Sequence, residues 1–269
     1  MPELPEVETT RKGIEPFLIH NKISSVEVRQ SSLRWPISIE IYDIRNLQVC
    51  EVLRRGKYII VRTDNGSILI HLGMSGSLRV VEPQKPLEKH DHVDIKLNTG
   101  KILRFNDPRR FGSILWANVW QEHKLISSLG IEPLTPKFTG DYLYQLGKNK
   151  KIAIKQFIMN GKLVVGVGNI YANESLFLAG IDPRRPINGV SRKRVTLLVE
   201  QIKNVLQDAI SKGGTTLKDF VGSDGKPGYF QQQLFVYGRA GQPCLKCQKI
   251  LQEVKQNNRS TVFCSHCQS

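Results

Sequence analysis

Two Cys-x-x-Cys knuckles stand near the end of this chain. Cys244-Leu-Lys-Cys247 and Cys264-Ser-His-Cys267 are separated by 16 residues. Zinc takes four soft ligands in a tetrahedron, and two such knuckles on a hairpin supply them. The segment is thereby bound to fold as a ribbon around one structural Zn2+. All four positions are filled, so the ion has no open site for catalysis, and His266 is a bystander. Cys50, the fifth cysteine, is expected as a buried small hydrophobe. This cysteine usage predicts a reducing compartment and no disulfides. Between the knuckles, Ile250–Val254 and Ser260–Phe263 read as paired strands, with Asn257, Asn258 and Arg259 near the tip. A β-ribbon can enter a DNA groove or lie along its backbone, which makes Arg259 a candidate phosphate contact.

Charge points to the partner. Lys and Arg number 39 against 24 Asp and Glu, a net of +15, which predicts a polyanion, nucleic acid before an anionic membrane. No apolar run approaches the roughly 20 residues of a membrane span, and no signal peptide is visible. No Walker A or Rossmann glycine pattern occurs, so no nucleotide or organic cofactor is expected.

The chain changes character along its length. Residues 3–18 predict a helix with Leu4, Val7, Ile14, Phe17 and Leu18 on one stripe and Pro5 in the first turn. From 23 to about 130, short β-branched runs alternate with turns. Lys57–Arg62, Asp64-Asn65-Gly66 and Ser67–His71 read as one hairpin. Val93–Leu97, Asn98-Thr99-Gly100 and Lys101–Phe105 read as a second. Such spacing predicts a sandwich or barrel. Past a linker the period becomes helical. Ser191 reads as an N-cap, and Val195, Leu198, Val199, Ile202, Val205, Leu206, Ala209 and Ile210 form a stripe. The expected fold is α+β in two domains: 1–130 catalytic, 131–135 linker, 136–230 helical, and 231–269 zinc ribbon. Residues 213–230 are rich in glycine, serine and lysine and predict a long functional loop.

Lys155–Met159 and Ile170–Leu178 read as helices around a glycine turn, with Gly166 and Gly168 in it. The start of the second helix would present N–H groups and its dipole to a phosphate, with Asn169 and Lys155 adding contacts. At the other end of the sequence, Met1-Pro2-Glu3 invites removal of Met1. That would leave Pro2 with a secondary amine of pKa near 7.7–8.0, a ready nucleophile toward an aldehyde-like carbon. Glu3 is placed to move the proton.

Six short motifs in one order identify a resemblance. They are Pro-Glu-Leu-Pro-Glu-Val-Glu at 2–8, Gly-Lys-Tyr at 56–58, His-Leu-Gly-Met-Ser-Gly at 71–76, Asp-Pro-Arg-Arg-Phe-Gly at 107–112, Gly-Val-Gly-Asn-Ile-Tyr-Ala at 166–172, and the zinc knuckles. From Pro2 to Cys267 the chain resembles the bacterial formamidopyrimidine-DNA glycosylase family. The resemblance implies an N-terminal β-sandwich flanked by helices, a helix–two-turn–helix motif and a zinc ribbon. It implies excision of oxidised purines from duplex DNA, then strand cleavage at the abasic site by β,δ-elimination. Carried over, Pro2 is the nucleophile, Glu3 the acid/base and Lys57 the active-site lysine. Met74, Arg109 and Phe111 enter the duplex, Asn169 and Arg259 grip phosphates with Lys155 nearby, and His90 touches DNA. Residues 217–226 would close over the everted base. The family also implies a monomer, cytoplasmic and nucleoid-associated, acting on double-stranded DNA with oxidised bases or abasic sites. Two other readings are an endonuclease VIII-like enzyme for oxidised pyrimidines and a non-catalytic zinc-ribbon DNA-binding protein.

Overall fold

A computed structural model describes residues 2–213 and 234–269 of the chain. The expected capping loop at 217–226 lies outside the described residues. The described chain falls into two compact units, one built on residues up to Ser128, the other on Leu129–Ser211 with 234–269.

The first unit opens with α1 (Leu4–Leu18). Glu6 accepts the backbone N–H of Glu3 at 2.8 Å in a capping box, and proline stands in the first turn, where a missing N–H costs little. Leu4, Val7, Ile14 and Leu18 are buried as the stripe predicts. Phe17 departs from it: 39% exposed, its ring lies under the Lys101 ammonium at 5.3 Å. Eight strands follow: β1 (Ile23–Val28), β2 (Val49–Arg55), β3 (Tyr58–Thr63), β4 (Gly66–His71), β5 (Ser77–Val81), β6 (Asp91–Leu97), β7 (Ile102–Asn106) and β8 (Ser113–Ala117). Short α2 (Lys124–Ser127) ends the unit.

The strands form two antiparallel four-stranded sheets, in the orders β1-β6-β7-β5 and β2-β3-β4-β8. Val52, Ile59, Val61, Ile68 and Ile70 from one sheet and Val93, Ile95, Leu103 and Phe105 from the other share a single buried cluster. That shared cluster makes the pair a sandwich; each such side chain contributes about 1.5–3 kcal/mol on burial. Ile60, Leu69 and Leu115 sit side by side across β3, β4 and β8 and are buried too. The centres of β3, β4 and β8 are therefore buried on both faces, which is why they read as continuous apolar runs, whereas β2 keeps exposed or partly exposed polar positions. Cys50 is only partly buried, contrary to expectation; it stands where the β2–β3 register shifts between Val49 and Glu51. Such a bulge re-aims the side chain it carries.

The second unit holds α3 (Gly140–Gly147), α4 (Ile154–Ile158), α5 (Asn169–Leu178), α6 (Arg192–Ser211) and a ribbon of β9 (Gln252–Gln256) and β10 (Arg259–Phe263). Six of the eight expected stripe positions on α6 are buried, with Val205 and Ile210 at its margins. At the ribbon tip, Asn257 and Asn258 take φ of 48° and 59° between the pair Gln256–Arg259. Two successive left-handed residues make the two-residue turn that suits a twisted hairpin, and asparagine tolerates them. Among the described residues, no helix is long and apolar enough to cross a membrane.

Candidate functional sites in the two units

In the first unit, Pro2 and Glu3 are buried, with Glu3 only 1% exposed, directly before α1. The capping box pins Glu3 at the positive end of the helix dipole, where a carboxylate is favoured. Lys57 is not in a strand as its sequence context suggests. Arg55 pairs with Tyr58, so Gly56 and Lys57 form a two-residue turn at the tip of the β2–β3 hairpin. The tip lies beside His71, a residue the sequence reading missed. Tyr58 pairs with His71 across β3 and β4, their rings 4.8 Å apart, and His71 Nδ1 accepts the Gly73 N–H at 3.0 Å. Burial, then the charges of Lys57 and Arg34, push the His71 pKa down to about 4. The imidazole is neutral at pH 7, beside a lysine at a hairpin tip. In the sequence, only the short His-Leu-Gly-Met-Ser-Gly motif marks this position.

Met74, Arg109 and Phe111 come together on two loops. Residues 72–76 lead from β4 in one sheet to β5 in the other, and 107–112 lead back from β7 to β8. The Arg109 guanidinium lies over the Phe111 ring, and Phe111 is 43% exposed. His90 lies in the adjoining segment, its ring 6.0 Å from that of His92.

In the second unit, α5 starts at Asn169, one residue after the extended Gly168, and Gly166 turns at a φ of 81° that glycine adopts freely. Lys155 and Asn169 meet the ribbon rather than standing apart from it. The Ser260 carbonyl accepts from Lys155 Nζ at 2.9 Å and from Asn169 Nδ2 at 3.0 Å. Lys155 Nζ also donates to Thr261 Oγ1 at 2.6 Å, and Asn173 Oδ1 accepts the Val262 N–H at 3.0 Å. Lys155 is 1% exposed, while Arg259 next door is exposed and lines a cleft of about 300 Å³ with Gln156, Met159, Gln256 and Asn257. Glu174, also missed, accepts three consecutive backbone N–H groups, from Phe235, Val236 and Tyr237, at 2.7, 2.9 and 2.8 Å. Nothing in its local sequence marks this nest.

The thiols of Cys244, Cys247, Cys264 and Cys267 all lie within 4.8 Å of one another. The pairs Cys244–Cys267 and Cys247–Cys264 are 3.9 and 3.5 Å apart. Zn–S bonds of about 2.3 Å in a tetrahedron require sulfurs about 3.8 Å apart, so the set fits that ion. Burial would raise Cys264, but the backbone N–H groups of Cys267 and His266 outweigh it and hold the thiol at about 7, whereas burial and the neighbouring thiols push Cys267 up to about 12. A thiolate supported by knuckle amides is the species a metal takes.

Three stretches of the chain match known family descriptions. Residues 1–114 match the family described as formamidopyrimidine-DNA glycosylase N-terminal domain, 129–221 its H2TH domain, and 241–269 a zinc finger found in FPG and IleRS. A formamidopyrimidine-DNA glycosylase of Stutzerimonas stutzeri is 54% identical over 270 residues, covering 100% of both chains. The Fpg of Lactococcus lactis, solved with DNA containing an abasic site, superposes with a TM-score of 0.90 at 32% identity, over 99% of each chain. The same protein has been solved with N7-benzyl-Fapy-dG DNA (33% identity) and with oxidised-pyrimidine DNA (32%). Each has a TM-score of 0.89 over 99% of both chains.

Proposed function

This chain belongs to the formamidopyrimidine-DNA glycosylase family of bifunctional glycosylase/AP lyases, and we propose that it excises oxidised purines from duplex DNA and cleaves the strand by β,δ-elimination. The observation that carries this reading is the buried Pro2-Glu3 pair capping α1. It becomes a site once Met1 is removed.

A base within a duplex is out of reach, so the nucleotide is first everted. The Pro2 nitrogen then bonds to C1′ as the C1′–base bond breaks, its N–H proton passing to the departing base; its lone pair then opens the sugar ring as Glu3 donates a proton to the ring oxygen. The product is an iminium whose positive nitrogen acidifies the C2′ hydrogen. Loss of that proton expels the 3′ phosphate, and a second elimination expels the 5′ phosphate. Water hydrolyses the remaining iminium and frees Pro2. Lys57, at its hairpin tip beside neutral His71, is suited to bind a phosphate flanking the lesion. Met74 and Phe111 fill the vacated space, Arg109 hydrogen-bonds the orphaned base, and His90 adds a backbone contact. Asn169 and Arg259 hold phosphates from the second unit. One zinc ion, held by the four cysteines, keeps the ribbon folded and supplies no reaction chemistry. In this reading residues 1–130 carry the reaction, and 136–230 with 231–269 carry the grip. The chain works as a monomer on nucleoid DNA, without an organic cofactor.

Borohydride reduction tests the mechanism. On duplexes with 8-oxoguanine, the mature protein is expected to give a covalent adduct, which disappears in Pro2→Gly and when Met1 is retained. Trapping that persists with a blocked terminus would sink the proline mechanism. Clear preference for thymine glycol over 8-oxoguanine would assign the pyrimidine reading instead.

A further inference from the structure

We propose that the buried carboxylate of Asp107 is a positioning residue that holds the Met74 loop and the Arg109–Phe111 loop together as one preassembled wedge. The inference rests on the reading above, in which these side chains enter the duplex.

Asp107 is fully buried. Its Oδ1 accepts the Ser75 hydroxyl at 2.9 Å and its Oδ2 accepts the Gly112 N–H at 2.7 Å. Ser75 Oγ in turn accepts the Arg109 N–H at 3.3 Å. One carboxylate thus binds the residue after Met74 and the residue after Phe111, and reaches Arg109 through a single hydroxyl. Its backbone extends the clamp: the Asp107 N–H donates to the His90 carbonyl at 3.0 Å, and its carbonyl meets His92 Nε2 at 2.8 Å. The backbone segments that carry Met74, His90, Arg109 and Phe111 are therefore tied to one residue.

The loops also touch backbone to backbone. A Cβ on Gly73, whose φ is 65°, would lie 2.4 Å from the Phe111 carbonyl carbon and 2.5 Å from the Gly112 nitrogen. A Cβ on Gly112 would come within 2.7 Å of the His71 oxygen. No side chain fits in that seam, so polar bonds such as those of Asp107 must hold it. Arg110, between the two wedge residues, takes a φ of 53° and donates its N–H to the Asp107 carbonyl at 3.2 Å. A non-glycine residue keeps such a conformation only where its surroundings impose it.

The physical advantage is preorganisation. Unstacking a base step costs free energy, and ordering a loose loop at the same time would add the conformational entropy of every residue fixed. A wedge ordered during folding leaves only the first cost to binding.

The test compares full-length parent, Asp107→Asn, Asp107→Ala and Ser75→Ala on two duplexes. One carries 8-oxoguanine, which must be unstacked and everted; the other carries an abasic site, which has no base to evict. Single-turnover excision is read on the first and borohydride trapping on the second. Loss of a buried acceptor predicts that Asp107→Ala shifts the ratio of the two rates against 8-oxoguanine by on the order of tenfold. Ser75→Ala should shift it the same way by less. Asp107→Asn should keep the parent ratio, because its amide oxygen still accepts from Gly112 and its NH2 donates to Ser75 Oγ. Equal losses on both duplexes, or an unchanged ratio in Asp107→Ala, would overturn the assignment. Should Asp107→Ala not fold, Ser75→Ala decides, and an unchanged ratio there overturns it equally. A parent that traps no abasic DNA would instead overturn the proposed function.

Discussion

The Arg109 guanidinium carbon lies 5.2 Å from the centre of the Phe111 ring. The two side chains proposed to enter the duplex are thus packed on each other. At an exposed site this pairing contributes only about 0.5–1 kcal/mol, so it is easily exchanged for contacts within a duplex. Phe111→Ala is therefore expected to melt within about 0.5 kcal/mol of the parent's stability while excising lesions from duplex DNA more slowly. Phe111→Leu should retain much of the activity, since it keeps an apolar wedge. Thermal melting with single-turnover excision checks this. A large loss of stability in Phe111→Ala would make the ring a packing residue instead.

His71 is expected to stay neutral from pH 8 to pH 5. Its folded pKa of about 4 lies below the ordinary histidine value, with burial the main cause and Lys57 and Arg34 adding to it. The unfolded chain then binds more protons between these values, so stability contributed by neutral His71 is present above the unfolded pKa near 6.5 and is lost as pH falls toward 4. NMR should show ring resonances that do not titrate across that window. His71→Gln should flatten the acid side of the stability curve. A ring titrating near 6.5 would contradict the packing.

The ion network on β1, β6, β7 and β5 gives a second acid-sensitive element. Asp94 is 1% exposed and faces two guanidiniums, Arg104 at 2.9 Å and Arg29 at 2.7 Å. Burial alone would raise its pKa, but the bonds from Arg104 and Arg29 outweigh it and hold the carboxyl below its usual range. A depressed carboxylate stabilises above its unfolded pKa of about 3.9 and loses that contribution as pH falls through the folded value. Asp94→Ala should cost about 3 kcal/mol at neutral pH, because buried Arg104 and half-buried Arg29 both lose a partner. Urea unfolding at pH 7 and pH 3 measures both effects. Equal losses at the two pH values would argue against an ionic role.

Local chemistry was legible in the sequence, and through-space chemistry was not. The zinc node could be read because each knuckle places two ligands within four residues. The α6 stripe could be read because 3.6-residue periodicity is itself the packing rule. The β-forming neighbours of Lys57 predict a strand there; the Arg55–Tyr58 pair that places it at the hairpin tip is a register fact. Lys155 carried a basic residue's expectation of a direct DNA contact, yet its ammonium points inward to Ser260 and Thr261, over 100 residues away. Asp107 and Glu174 are ordinary acidic residues in sequence, and only folding brings their N–H and hydroxyl partners to them.

The ribbon should depend on its metal more than a larger domain would. Two strands alone are marginally stable, and Cys244 and Cys264 form part of the small cluster with Phe177, Val236, Leu251 and Val262. Purified protein should carry one zinc per chain by elemental analysis. Chelation, or Cys247→Ser, should abolish tight DNA binding while β-sheet circular dichroism from the first unit persists. Retention of full affinity without metal would remove the ribbon from the interface.

Lys155 provides a sharper measure of the same coupling. Its buried ammonium holds the Ser260 carbonyl, the residue beside exposed Arg259, so it should affect DNA binding through the position of Arg259. Arg259→Ala is expected to lower the salt slope of DNA binding by about one unit, as for one lost phosphate contact. Lys155→Met should weaken binding too, by unpairing Ser260 and Thr261 and loosening β10. If the two act through one contact, the double variant should bind little more weakly than the weaker single variant, a coupling of about 0.5–3 kcal/mol in the double-mutant cycle. Additive losses with two units of slope would instead make Lys155 an independent phosphate ligand, which would require its side chain to leave the pocket it fills here.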